Sequence, residues 1–239
     1  MNRNTIPHAF GSILLGAVGI WFHDFAMQWQ PVPKGLPLYT PLVYVSAALL
    51  IAGGAALLTR KGERGGALLL ASFYGLWAIA LHLPVAFASW QHIGVWNGPA
   101  EATFLAVGGL ALFATGAGQL RRTLTLTARL LAGASAVVFG LAHFNYADFT
   151  ASMVPAWIPY PLFWAYATGA GHFAAGVALL SGVQARLGAT LLAGMMGSFV
   201  VLLHIPRVIA HPELHAEWIM LGVSSALAGS AWLVRKYAT

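Results

Sequence analysis

"ALHLP", residues 80–84, and "LLHIP", residues 202–206, are one unusual phrase written twice: a histidine two places before a proline, inside an apolar run. His82 and His204 stand 122 positions apart, and the same offset aligns much else. It pairs Val32-Pro33 with Val154-Pro155, Pro37 with Pro159, Gly54 with Gly176, and Ala56-Leu57-Leu58 with Ala178-Leu179-Leu180. It also pairs Arg64 with Arg186, Gly66 with Gly188, Gly75 with Gly197, Pro84 with Pro206 and Trp96 with Trp218. Apolar sequence matches Leu and Ala by chance, but it seldom matches His, Arg, Trp and several prolines in one register. The register reads as an internal duplication, with residues 1–122 as the first unit and 123–239 as the second.

What surrounds the phrases sets the fold class. The chain is 59% hydrophobic and 8% charged, with mean hydropathy +0.76. A soluble domain carries about three times that charge, so a bilayer is the expected environment. There is no cysteine, which excludes disulfides and thiolate metal sites. The N-terminal apolar run shows no small-residue cleavage signal and reads as a retained first span. Eight stretches are apolar enough to span, near 10–28, 38–58, 66–87, 101–119, 128–147, 161–180, 187–209 and 217–234. Helices are required because lipid satisfies no free backbone group. The expected fold is all-α: eight transmembrane helices as a tandem parallel repeat of two four-helix units, side by side. Four spans return the chain to its starting side, so both units share one orientation. Gly53-Gly54, Gly108-Gly109 and Gly169, Gly171 and Gly176 suit close helix packing.

Basic residues orient the chain. Arg3, Arg60, Lys61, Arg64, Arg121, Arg122, Arg129, Arg186, Arg235 and Lys236 fall on the side of the termini, ten of twelve; only Lys34 and Arg207 fall opposite. Both termini are therefore expected in the cytoplasm of a bacterial cell, the protein being multi-pass in its inner membrane. The net charge of +6 reads as topology and contact with anionic lipid, not as a nucleic-acid surface, because the charges are scattered over short loops. Asp24, Glu101, Asp148, Glu213 and Glu217 lie toward the outer face, and so do most histidines; the inner half of the spans looks nearly free of ionisable groups, with His8 near the inner surface.

Several outer groups are candidates. His82 and His204 lie about 24 Å along their helices, in the outer part of a core about 30 Å thick. Ionisable groups at such depth face the bundle or a cavity. The proline after each lacks an N–H and bends the helix, freeing a carbonyl to which an imidazole can donate. They are read either as kink supports or as a pair flanking a quinone, a haem or a proton path. His23-Asp24 and His143 with Asp148 sit at matching helix ends but out of register, since His23 pairs with Asn145 and Asp24 with Tyr146. A carboxylate beside an imidazole suits proton transfer; the plain alternative is interfacial polarity. Glu101 opens its span behind Pro99, where a carboxylate complements the helix dipole. "HPELHAEW", 211–218, looks like a metal tract, yet lacks the H-E-x-x-H spacing and reads mainly as a solvated loop; no metal ligands are assigned. No Walker sequence, G-x-S-x-G elbow or C-x-x-C-H attachment occurs. Non-covalent haem needs only placed histidines.

Each half resembles the four-span DoxX/DoxD-like membrane family. The resemblance rests on "PYPLFWAYATGAGHFAAGVALLSGVQARLGATLLAGMMGSFVVLLHIP" (159–206) and, more weakly, on residues 36–84. The shared pattern is a proline before a span, a helix of the form G-x-x-x-x-G-x-A-L-L, a short Arg-containing turn and a Gly/Ala-rich span. Family members typically carry one such unit, and this chain looks like two. The resemblance implies a bacterial inner-membrane setting with a redox or quinone link, and carries no catalytic residue over.

The leading expectation is a redox-associated protein with quinone or haem b in the outer half, between the repeats. Catalytic candidates are His82, His204, Asp24, Asp148 and Glu101; cofactor-binding candidates are His82, His204, His143, His23 and His172. Trp164, Tyr166, Phe144 and Trp77 are expected to line an apolar headgroup pocket. Expected partners are the lipid bilayer, a quinone, and a periplasmic or membrane redox protein. A solute or proton-coupled transporter, and a scaffold for another enzyme, are the alternatives. Because the chain has no cysteine, orientation is directly testable. A single cysteine replacing Gln119 should be shielded from an impermeant maleimide in intact spheroplasts. One replacing Trp157 should be labelled, and the reverse pattern would invert the topology.

Overall fold

The computed structural model describes residues 2–236 and 238, and all regular structure among them is helical. Eleven helices are formed: α1 (Ile6–Phe22), α2 (Tyr39–Leu57), α3 (Glu63–Leu76), α4 (Leu83–Ala88), α5 (Asn97–Ala114), α6 (Arg121–Asn145), α7 (Ala147–Ser152), α8 (Pro161–Ser181), α9 (Ala185–Phe199), α10 (Ile205–Ala210) and α11 (His215–Arg235). Six helical rods are long and apolar enough to cross a membrane: Arg3–Phe22, Tyr39–Leu57, Glu63–Ala88, Gly118–Asn145, Ala185–Ala210 and His215–Arg235. Eight were expected. α5 and α8 are helices of 18 and 21 residues but are diluted, α5 by Asn97, Pro99 and Glu101 and α8 by Gly, Ala, Thr and His172.

The two phrases shape their rods in the same way. Between α3 and α4 the backbone winds as a π-helix over Trp77–His82; between α9 and α10 it does so over Val200–His204. Pro84 and Pro206 explain this. A proline ring crowds the carbonyl four residues back and supplies no N–H. A wider turn relieves the clash while keeping the other backbone groups bonded within the rod. Before α2 and α8 the chain also turns identically: Leu38 (φ 64°) and Tyr160 (φ 59°) are both left-handed, one residue after Pro37 and Pro159.

The packing order is a closed ring: α1, α2, α3, α5, α6, α8, α9, α11 and back to α1, with α5 and α11 also touching across the middle. The halves are therefore not two separate bundles side by side. α11 packs on α1, and α5 packs on α6, so the last long helix of each half lies on the first helix of the other. Small residues make this possible. A Cβ on Gly11 would lie 2.4 Å from the Gly222 carbonyl oxygen, and one on Gly108 would lie 2.5 Å from Ser230 Oγ. The N-terminus is tied to the end of α11, where the Trp232 indole N–H donates to Asn4 Oδ1 at 2.9 Å, so both ends lie on one face.

Gly229 faces α1 so closely that a Cβ there would sit 2.3 Å from the His8 nitrogen, whereas Gly194 has nothing within 4 Å. Gly229→Val is expected to destabilise the purified protein by about 1–3 kcal/mol or more through overpacking. Gly194→Ala should leave it unchanged or raise its thermal midpoint. Thermal unfolding in detergent followed by circular dichroism separates the two.

Candidate functional site

The π-helical turns aim both histidines inward, and both are buried. Their surroundings differ. His82 Nε2 lies 2.9 Å from the Trp29 carbonyl oxygen. A carbonyl only accepts, so Nε2 carries the proton and Nδ1 is the lone pair, pressed against Gly98 of α5. The imidazole thus pins the α1–α2 loop; it does not cap a carbonyl freed by its own kink. His204 Nδ1 is buried without a partner and lies near Arg207 and Glu217. Arg207 grips Glu217 with two bonds, of 2.8 and 2.6 Å. The two histidines are not brought together: α3 and α9 flank the α5–α11 pair from opposite sides.

The loop between α1 and α2 is strapped across the end away from the termini. His23 ends α1 at φ 54°, and its Nδ1 bonds the Tyr44 hydroxyl at 2.7 Å. Asp24 accepts from the Tyr39 hydroxyl and from the Phe25 N–H at 2.8 Å, and pairs with Lys34 at 3.4 Å. Gln30 and Ser46, both buried, bond each other at 2.9 Å. Trp29, part of the strap, is buried beside the Glu101 carboxylate, and its indole N–H closes no hydrogen bond. Asn97 Nδ2 donates to Glu101 Oε1 at 3.2 Å.

A second grouping lies where α6, α8 and α9 meet. His143 and His172 are in ring contact, with centroids 4.9 Å apart. His143 Nδ1 donates to the Phe139 carbonyl one turn back, at 2.8 Å. His172 is buried against Phe139 (5.6 Å) and Phe199 (6.2 Å), and its Nδ1 has no partner. Phe144 and Tyr166 stack at 6.3 Å on the exposed side of this pair. The other expected lining residues are elsewhere. Trp164 is exposed and bonded to Pro159, and Trp77 is sealed against Tyr74 in the first half. Asp148 is exposed in the first turn of α7 and lies outside both groupings. The residues of "HPELHAEW" diverge: His211 faces Glu213 at 3.7 Å, His215 stacks on Phe22 at 4.4 Å, and Glu217 binds Arg207. Among the described residues no three His, Asp or Glu side chains converge as a metal set.

The half of the bundle nearer the termini is not apolar throughout. His8 is fully buried, with Nδ1 3.1 Å from the Ala226 carbonyl and 3.2 Å from Ser230 Oγ. The Tyr74 hydroxyl is 2.9 Å from Ser12 Oγ, which in turn donates to the His8 carbonyl at 2.9 Å. A Tyr, two Ser and a His from α1, α3 and α11 thus form a buried polar cluster, with His8 Nε2 unpartnered. Sequence reading missed it because Ser12, Tyr74 and Ser230 are ordinary span residues one at a time. The available signal was i, i+4 spacing, which places His8 and Ser12 on one face of α1.

Asp24 supplies a pH test of the strap. Partial burial draws its carboxyl upward, but the bonds from Tyr39, the Phe25 N–H and Lys34 outweigh that and hold it below the usual carboxylate value. A depressed carboxyl contributes stability above its unfolded-state value, near pH 4, and that contribution is lost as pH falls through the folded value. Amide exchange over residues 25–38 should accelerate below about pH 4. Asp24→Asn should show fast exchange already at neutral pH, with that acid step gone.

No curated protein and no solved structure matches the chain. The DoxX family model matches residues 124–205, from the first turns of α6 to the residue after His204, a stretch that holds His143 and His172 as well. Residues 124–205, in the second half, are thus similar to the DoxX family, in a chain with six helices long and apolar enough to cross a membrane.

Proposed function

We propose that this chain is a redox-associated protein of the bacterial inner membrane, built as a tandem repeat of two four-helix units with eight spans and both termini cytoplasmic. It holds a quinone ring in the periplasmic half, beside His143 and His172. The repeat is supported by the 122-residue register, by a π-helical turn ending at His82 in one half and at His204 in the other, and by the left-handed residues Leu38 and Tyr160. The orientation rests on the basic residues gathered at the termini's face.

One observation carries the site. His172 is an imidazole buried among aromatic rings, with a sealed nitrogen that bonds nothing. An unmatched polar atom in such a place costs free energy, and a quinone carbonyl is a planar, apolar-bordered acceptor for its N–H. His143, its Nδ1 held by Phe139, leaves Nε2 as an acceptor for a quinol hydroxyl. Phe144 and Tyr166 supply an aromatic approach from lipid. A bound quinone would supply two-electron chemistry; the histidines orient the ring and hold or release protons at their free nitrogens. A haem fits poorly. The His143 and His172 rings touch, so no macrocycle lies between them, and His82 has its Nε2 committed to Trp29.

A second reading, proton-coupled transport, is favoured by the His8–Ser12–Tyr74–Ser230 cluster, which puts polar steps in the half that sequence reading had left apolar. Lipid extraction of the detergent-purified full chain decides between them. The expected result is quinone near one per protein, reduced at least about tenfold in His172→Ala (the loss of a contact worth about 1.4 kcal/mol). Protein that carries no quinone, together with proton flux in liposomes lost in His8→Ala, would replace the first reading by the second.

A further inference from the structure

The two halves treat the carboxylate near their π-turn histidine differently. In the second half Glu217 is held by the Arg207 guanidinium at 2.6 and 2.8 Å. In the first half the position matching Arg207 is Val85, and the carboxylate comes from a new place, Glu101, whose counterpart is Val223. Glu101 takes part in none of the ion pairs among the described residues. Its one hydrogen-bond partner is neutral, the Asn97 amide on its own helix, at 3.2 Å; the Trp29 indole from the strap lies beside it without bonding it. His82, from the π-turn, stands one turn away, its ring filling the space beside Gly98. Trp29 joins all of this, since its carbonyl holds His82 Nε2. Trp29 is itself more than nine-tenths buried, and its N–H bonds nothing. Further groups at this end are occupied: Tyr146 packs on Gly94, Lys34 is bound to Asp24, and Glu217 to Arg207.

We propose that Glu101 is a proton-binding site at the face opposite the termini, with Trp29 and Asn97 as positioning residues that stabilise its ionised form. A membrane-embedded carboxylate without a counter-cation is costly, and a proton is the one cation that needs no added room in this packing. Glu101 is half-buried in the second turn of α5, and the aqueous phase at that face is the proposed source and destination of the proton. This site stands apart from His143 and His172 and holds whether or not a quinone binds.

The test is modification of the full-length protein in detergent by dicyclohexylcarbodiimide, which attacks protonated carboxyls in apolar settings, with adducts located by mass spectrometry from pH 5 to 9. The expected adduct is at Glu101, absent in Glu101→Gln, its yield falling about tenfold per pH unit above the midpoint. Glu217 should stay unmodified until Arg207→Ala releases it. Trp29→Phe removes the unpartnered N–H dipole beside the carboxylate and should extend Glu101 labelling to higher pH, a shift that a merely structural tryptophan would not produce. The proposal is overturned by labelling of Glu217 in Arg207→Ala with none at Glu101. It is equally overturned by Glu101 labelling that does not change with pH, the mark of a permanently neutral structural carboxyl.

Discussion

Two missing N–H groups organise much of this molecule. Lipid offers backbone atoms nothing, so a proline inside a spanning rod has to be absorbed within that rod. At Pro84 and Pro206 the rods absorb it with a π-helical turn. A π turn adds a residue to the winding and so changes which side chains face the bundle; the histidine two places before each proline is the one turned inward. His82 and His204 are thus placed by a backbone constraint before any chemistry is asked of them. That constraint also lets the first half fasten its strap, because His82 reaches the Trp29 carbonyl from this turn.

From that common frame the halves have moved apart, and the departures concentrate polarity. The first half uses its histidine to hold a loop and leaves Glu101 without a cation. The second half leaves His204 Nδ1 free of partners and neutralises Glu217 with Arg207. His143 and His172 meet only in the second half, and the His8 cluster joins α1 and α3 of the first half to α11. A pair of interlocked halves, each lending its last long helix to the other, keeps the scaffold fixed while one face of each half drifts. Gly11, Gly108 and Gly229 set the closeness of that exchange, since backbone atoms of a neighbouring helix or a buried hydroxyl occupy the place of their missing Cβ atoms.

Much of this was legible in the sequence, for physical reasons that differ by feature. The helical class came from composition and from what lipid forbids. A disturbance of the helix at each histidine was expected from proline as a bend; its π-helical form was not legible, because the choice between a break and a wide turn depends on the backbone bonds that survive. The interlocking of the halves was not legible: a glycine at 108 or 229 announces close packing but not its partner. Small residues and early polar groups blurred the span count at α5, which its neighbours shelter and which has less need of apolar side chains, and at α8, where glycines and His172 lower the hydropathy of a largely exposed helix. Among candidate site residues, His143 with His172 and Glu101 with Trp29 became groupings only once α6 met α8 and the strap folded back. Asp148 lies exposed in the first turn of α7, apart from both groupings, while the HPELHAEW residues each found a separate neighbour.

The contrast between Glu101 and Glu217 shows how a buried charge is to be read in a duplicated frame. Removing the cation from a sealed carboxylate leaves the charge uncompensated, which is costly. A carboxylate that keeps its guanidinium, as Glu217 does, is therefore explained by structure alone. Glu101 has no such partner, and as the fifth residue of α5 it lies past the first turn, where the helix dipole was expected to hold it. It sits at a position where the other half has valine, so packing does not require a polar group there. It lacks a cation, so pairing does not retain it. What remains is its own ionisation, sheltered by an indole N–H and an amide that favour the charged form, beside an imidazole whose proton is fixed on the far nitrogen. An arrangement that neither packs better nor pairs a charge is one whose distinguishing property is the proton it can take up or give away.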